Sequence, residues 1–88
     1  MEEIFDVDGN SLGKIPLSAR QMDLLAVGEN ITVQYHTPQL LRHLVGERSG
    51  SFELGKNAAG QIVVVPDDVV ALQRFVKLFT DIKRTRES

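Results

Sequence analysis

The segment ITVQYH at residues 31–36 has the most regular alternation of apolar and polar residues in the chain. Ile31, Val33 and Tyr35 alternate with three polar residues, so in an extended strand the apolar side chains point to one face. The pattern predicts a strand with one buried face and one face in contact with water. Such a strand needs an apolar cover, and the sequence on either side of it offers helices for that role.

Helix-start signals precede and follow this strand. Ser18 and Gln21 have the spacing of a capping box, which predicts a short helix after residue 18. Thr37 followed by Pro38 predicts a second short helix, with Thr37 as the N-cap and Pro38 in the first turn. The buried side of this second helix is predicted to be Leu40, Leu41 and Leu44.

Two β-hairpins complete the predicted sheet. The turn formers at 8–11 lie between two short apolar segments and predict a hairpin with its tip near Gly9. A second hairpin is predicted around residues 57–60. Its returning strand contains four consecutive apolar residues at 62–65, which indicates cover on both faces, by helices or by another chain.

The last predicted element is a long helix that begins at Pro66 and has basic residues in its last turn. Its apolar side chains cover roughly half of the circumference, whereas a surface helix needs a stripe of only about 100° against its own core. The excess width predicts contact with a second chain. The apolar positions are Ala71, Leu72, Phe75, Val76, Leu78, Phe79 and Ile82.

Together these elements predict one α+β domain over residues 1–88, in the order β-β-α-β-α-β-β-α. The sheet is expected to be small and mainly antiparallel, with the long C-terminal helix packed on it. The predicted core is Phe5, Val7, Leu25, Ile31, Val33, Leu41, Leu44, Phe52, Ile62, Val64, Leu72, Phe75, Val76 and Phe79.

Composition narrows the classes of function. The 88 residues carry 10 Lys and Arg against 12 Asp and Glu, which excludes a uniformly basic nucleic-acid coat and an acidic DNA mimic. The absence of cysteine excludes disulfides and fits a reducing, cytoplasmic location. No apolar run is long enough to span a membrane. In type the chain resembles small accessory proteins of bacteria, phages and plasmids, a likeness that assigns no residue.

No motif predicts catalysis, a metal or a cofactor. Asp6, Asp8 and Asn10 match the first ligands of a calcium loop, but serine and leucine stand where that loop needs glycine and a bidentate acid. The two histidines, His36 and His43, lack the helical spacing and the cysteines that complete most zinc sites. We therefore expect neither an enzyme nor a metalloprotein, with a zinc site shared across a dimer as the alternative.

The leading functional hypothesis is a protein-interaction or regulatory module that works as a homodimer and binds a further, unidentified protein. Its expected interaction surface is Val70, Phe75, Leu78, Phe79 and Ile82. The alternative is a nucleic-acid-binding accessory protein that uses its basic C-terminal helix. The residues expected to bind nucleic acid are Arg74, Lys77, Lys83, Arg84 and Arg86.

Overall fold

The computed structural model describes the backbone of residues 1–87 and the side chains as far as Arg84. It is an α+β structure in which five strands form one curled sheet and the longest helix is the last element. The strands are β1 (Glu2–Phe5), β2 (Ser11–Ile15), β3 (Ile31–His36), β4 (Ser49–Lys56) and β5 (Ile62–Val64). The helices are α1 (Ala19–Ala26), α2 (Arg42–Val45) and α3 (Val69–Glu87).

The predicted order of elements is modified by two short 3-10 helices, Gln39–Leu41 before α2 and Pro66–Asp68 before α3. The capping box of α1 is confirmed: the Gln21 N–H donates to the Ser18 hydroxyl at 3.1 Å, and the Gln21 side chain accepts from the Ser18 N–H at 2.8 Å. Both hairpins are also present, as β1–β2 and β4–β5. Local signals thus predicted α1 and both hairpins correctly, whereas α2 and α3 begin later than predicted.

The sheet is mixed, so the prediction of a mainly antiparallel sheet was wrong. Its strand order is β2-β1-β5-β4-β3, and β1 runs parallel to β5 with Ile4 opposite Ile62. This pairing joins the first hairpin to the second across most of the chain. Neither strand is long enough for its own sequence to indicate such a distant parallel partner.

One face of the sheet carries the core. The register aligns the buried residues of neighbouring strands, with Ile31 opposite Leu54 and Val33 opposite Phe52, and the helices contribute Leu25 from α1. Alternating residues of β3 are exposed on the other face. The buried apolar residues are Ile4, Ile15, Leu25, Ile31, Val33, Tyr35, Phe52, Leu54, Ile62, Val64, Leu72 and Leu78.

Two of the predicted core residues, Val7 and Leu44, are exposed. Val7 belongs to the turn beyond β1, where the buried position is Ile4 and Phe5 is half-buried. Because side chains alternate along a strand, the choice of Phe5 over Ile4 assigned β1 to the wrong face. Leu44 was assigned to a regular helix from Pro38, but a 3-10 turn comes first and changes the rotation of the residues that follow.

The four apolar residues at 62–65 are not sandwiched between two layers of helices. Ile62 and Val64 are buried, whereas Val63 and Val65 are half-buried. On the open face Val63 pairs in register with Phe5 of β1, which gives it apolar contact without a helix. The alternative cover, by another chain, stays a prediction.

Candidate functional site

Arg48, which precedes β4, is fixed by the end of β3. The Thr37 N–H donates to the Arg48 carbonyl at 2.8 Å, and the Arg48 N–H donates to the Thr37 hydroxyl at 2.8 Å. Thr37 is fully buried. Its hydroxyl therefore holds the backbone of Arg48 directly before β4, and the prediction that Thr37 caps the following helix was wrong.

The Arg48 side chain lies against α3. Its guanidinium is 2.7 Å from the Asp81 carboxylate, and both side chains are partly buried. A charge-assisted hydrogen bond of this length restricts both groups more than an exposed ion pair does. Arg48 is thus held at α3 with one edge of its guanidinium occupied by Asp81.

Helix α3 presents a charged stripe on its outer side. At 3.6 residues per turn, Arg74, Lys77, Asp81 and Arg84 fall within about 80° of one another around the helix axis. Arg74, Lys77 and Arg84 are exposed. Val70 lies one turn before Arg74 and belongs to the same outer side.

Arg48, Arg74 and Lys77 together line a cleft with a volume of about 250 Å³. Three cations thus meet at one place, two from α3 and one from the loop before β4, with Asp81 as the carboxylate paired to Arg48. Guanidinium groups bind phosphate or carboxylate oxygens through paired N–H donors, and a lysine adds a point charge. The arrangement is suited to an anion with several oxygen acceptors.

Tyr35 fixes the position of α3 relative to the sheet beside this cleft. Its hydroxyl donates to the Ala71 carbonyl at 3.0 Å, and its ring lies 5.1 Å from the ring of Phe75. Burial raises the pKa of the Tyr35 phenol, while the positive charge of Arg74 acts in the opposite direction. The raised pKa favours the neutral phenol, which is the form that can donate the hydrogen bond to Ala71.

The expected nucleic-acid residues divide into separate groups. Arg74 and Lys77 line the cleft, and Arg84 continues the same stripe. Lys83 is nine residues from Arg74, or two and a half turns, so it lies on the opposite side of α3. The side chain of Arg86 lies outside the described residues. Arg48 was missed because it comes from a different element, and helix periodicity contains no sign of it.

The expected interaction surface is mostly taken up by the chain's own core. Leu78 is 2% exposed and cannot contact a partner, so its assignment to a surface was wrong. Phe75 and Ile82 pack against the core, and Phe79 is half-buried. Val70, at 58% exposure, is the exposed member of the set. Most of the wide apolar face of α3 thus packs against the chain's own core.

The acidic turn at 6–10 is an Asx turn. The Asp6 carboxylate accepts hydrogen bonds from the Asp8 and Asn10 N–H groups, each at 2.9 Å, and from the Asn10 side chain at 3.1 Å. These bonds, those from Asn10 above all, lower the pKa of Asp6. The carboxylate thus serves the turn itself.

His36 and His43 are both exposed, one on the open face of the sheet and the other on α2. Among the described residues, no three His, Cys, Asp or Glu side chains form a group able to hold a metal ion. The zinc site shared between two chains remains an untested alternative.

Comparison with known proteins adds no functional assignment, since no family model, curated protein or solved structure matches this chain. None of the helices in the described part of the chain has the length and apolar character needed to cross a bilayer. The cleft is therefore interpreted from its own residues.

Proposed function

We propose that the protein is a non-enzymatic binding module that recognises a phosphate-rich polyanion, such as the backbone of a nucleic acid, through the cleft of Arg48, Arg74 and Lys77. The observation that carries this proposal is the meeting of these three cations in one cleft. A basic helix end alone is a common solvated feature, whereas Arg48, held in the loop before β4, adds a donor that approaches a ligand from a second direction.

The cleft also fits binding better than chemistry. Among the described residues its lining is Arg48, Arg74 and Lys77, three hydrogen-bond donors of the same charge, with Asp81 bonded to Arg48. Lysine and arginine of this kind position phosphates, and they carry no sequence information unless they reach base edges. The expected ligand is thus read by charge and spacing, with affinity that falls steeply with salt.

Binding of fluorescently labelled single- and double-stranded oligonucleotides at several salt concentrations tests the proposal. If each of the three cations neutralises one phosphate, log K against log salt has a slope of roughly −2 to −3. Lys77→Gln should reduce that slope by about 0.7 to 0.9. Lys83→Gln is the matched control. It removes the same charge from the opposite side of α3, leaves all three cations of the cleft in place, and should leave the slope unchanged.

Equal losses for Lys77→Gln and Lys83→Gln would mean that α3 attracts polyanions only by its overall charge. No binding of either oligonucleotide at low salt would contradict the proposal outright.

A second candidate is a protein-interaction or regulatory module that works as a homodimer. It is favoured by the exposed aliphatic side chains Val27, Leu40 and Leu44, which lie outside the helix first expected to carry the interface. Each of these side chains would lose contact with water if a partner covered it, which favours association. Sedimentation equilibrium at micromolar concentration tests it, and a monomer throughout would count against it.

A further inference from the structure

Strand β3 is an outer strand of the sheet, and its backbone shows which of its groups face outward. The Thr37 N–H bonds to the Arg48 carbonyl, one register step beyond the pair His36–Ser49. Bonded pairs alternate along an antiparallel ladder, so the odd-numbered residues of β3 bond to β4. Thr32, Gln34 and His36 therefore direct their N–H and C=O groups away from the sheet.

The two outer strands of the sheet differ in their protection against pairing. On β2, Gly13 has a φ of +118°, Lys14 is exposed, and Pro16 follows directly. The β1–β2 register also shifts between Ile4 and Phe5. Irregular backbone, lysine and proline are the features that prevent sheet edges from associating. β3 itself contains no positive φ, lysine or proline, since Pro38 comes two residues after its end, and its register with β4 is unbroken over its whole length.

A strongly exposed apolar residue lies within a few residues of each end of β3 in the sequence. Leu40 and Val27 are the most exposed large hydrophobic side chains of the described residues, at 85% and 75%. Leu40 follows β3 and Val27 precedes it, at almost equal distances along the chain from Gln34. A twofold axis through Gln34 would therefore set the end of β3 that follows Val27 beside the end that precedes Leu40 of the partner subunit.

We propose that two copies of this chain pair through β3, antiparallel, with Gln34 opposite Gln34 of the partner subunit. Thr32 then lies opposite His36 of the partner subunit, and every outward N–H and C=O group of the strand has a partner. A shift of two residues leaves some of these groups unpaired, and a shift of one reverses the faces of the joined sheets.

Charge is compatible with this self-pairing, because β3 contains no Asp, Glu, Lys or Arg. The outer edge of β3 is thus complementary to a second copy of itself in hydrogen bonding and in charge, and an exposed apolar residue lies near each end. A second copy is the occupant that all three features fit.

The pairing does not depend on the proposed function, since a monomer can bind a polyanion and a dimer can fail to do so. A twofold axis perpendicular to the sheet keeps the helical side of both copies on one side. The dimer would therefore carry its two basic clefts on the same side of a continuous sheet.

Gln34→Pro tests the pairing most selectively. Proline removes an N–H that faces outward and is not used by β4, a position where an edge strand accepts it. We expect the wild-type chain to sediment as a dimer at micromolar concentration and Gln34→Pro as a folded monomer. Gln34→Thr is the matched control, because it changes the side chain, keeps the N–H and should remain a dimer.

A wild-type monomer at high concentration would overturn the proposal, and so would a Gln34→Pro dimer. Amide hydrogen exchange on the wild-type chain provides a test that does not require the proline variant to fold. The amides of Thr32, Gln34 and His36 should exchange more slowly as protein concentration rises. Exchange at these amides that is independent of concentration would contradict β3 pairing.

Discussion

The two sides of helix α3 are used by the rest of the chain in opposite ways. The inner side packs Leu72 and Leu78 into the core, fully out of contact with water. The outer side carries Val70, Arg74 and Lys77, all exposed, and meets Arg48 from another element. The difference teaches that the width of an apolar stripe does not measure free surface, because most of the apolar residues of α3 pack against the chain's own core.

The largest effect expected from this comparison is on the inner side, at Leu78. Leu78→Ala removes a fully buried side chain and leaves a cavity, so it should lower the free energy of unfolding by about 3 kcal/mol. Val70→Ala, on the outer side of the same helix, should change it by less than about 0.5 kcal/mol. Urea unfolding followed by circular dichroism measures both, and similar values for the two would refute the division of α3 into two sides.

The contact between Gly13 and the inner side should give the next largest effect. A β-carbon at Gly13 would lie 3.0 Å from Val76 Cγ1, and its φ of +118° disfavours any side chain. Gly13→Ala should therefore lower the free energy of unfolding by about 2 kcal/mol, from strain and overpacking together.

Gly9→Ala is the control for that prediction. Gly9 also has positive φ, but nothing lies within 4 Å of its hypothetical β-carbon. It should be destabilising by less than Gly13→Ala in the same unfolding experiment. An equal loss at both positions would show that the Val76 contact contributes nothing.

On the outer side, Asp81→Asn should have a small effect on stability and a clear effect on binding. The Arg48–Asp81 pair is partly exposed, so its loss should lower the free energy of unfolding by about 0.5 to 1 kcal/mol. Removal of the carboxylate takes one negative charge away from the cations of the cleft, so polyanion affinity at low salt should rise. Weaker binding in an oligonucleotide titration would instead assign Asp81 the role of positioning Arg48.

The smallest effect expected is the titration of Tyr35, the chain's single tyrosine. Burial raises the pKa of its phenol in the folded state. The contribution of the neutral phenol to the free energy of unfolding is therefore complete below the unfolded pKa, and it is lost as pH rises through the folded pKa. Phenolate absorbance should appear at higher pH in the folded chain than in urea. Arg74→Gln should raise the pKa further, because Arg74 lowers it.

The sequence predicts best where a signal is local. The capping box of α1 and the alternation of β3 rest on spacings of two to three residues, and both are confirmed. The parallel pairing of Ile4 with Ile62 was not predicted, because it depends on contacts across most of the chain. Leu44 was misassigned because a 3-10 turn altered the helical phase.

The candidate site could be predicted only in part for the same physical reason. Arg74 and Lys77 are neighbours on one helix, and periodicity places them together. Arg48 joins them through the bonds between Thr37 and Arg48, which require β3 and β4 to be paired first. The sequence therefore predicts the part of the site that lies on α3, and it does not predict the residue that another element adds.

The most direct test of the anion-binding cleft is a nuclear magnetic resonance titration that follows the arginine and lysine side-chain signals while inorganic phosphate, and then a short oligonucleotide, is added. The account predicts saturable shifts at Arg48, Arg74 and Lys77, with Lys83 unchanged. Uniform shifts at all four side chains, or none at Arg48, would contradict it.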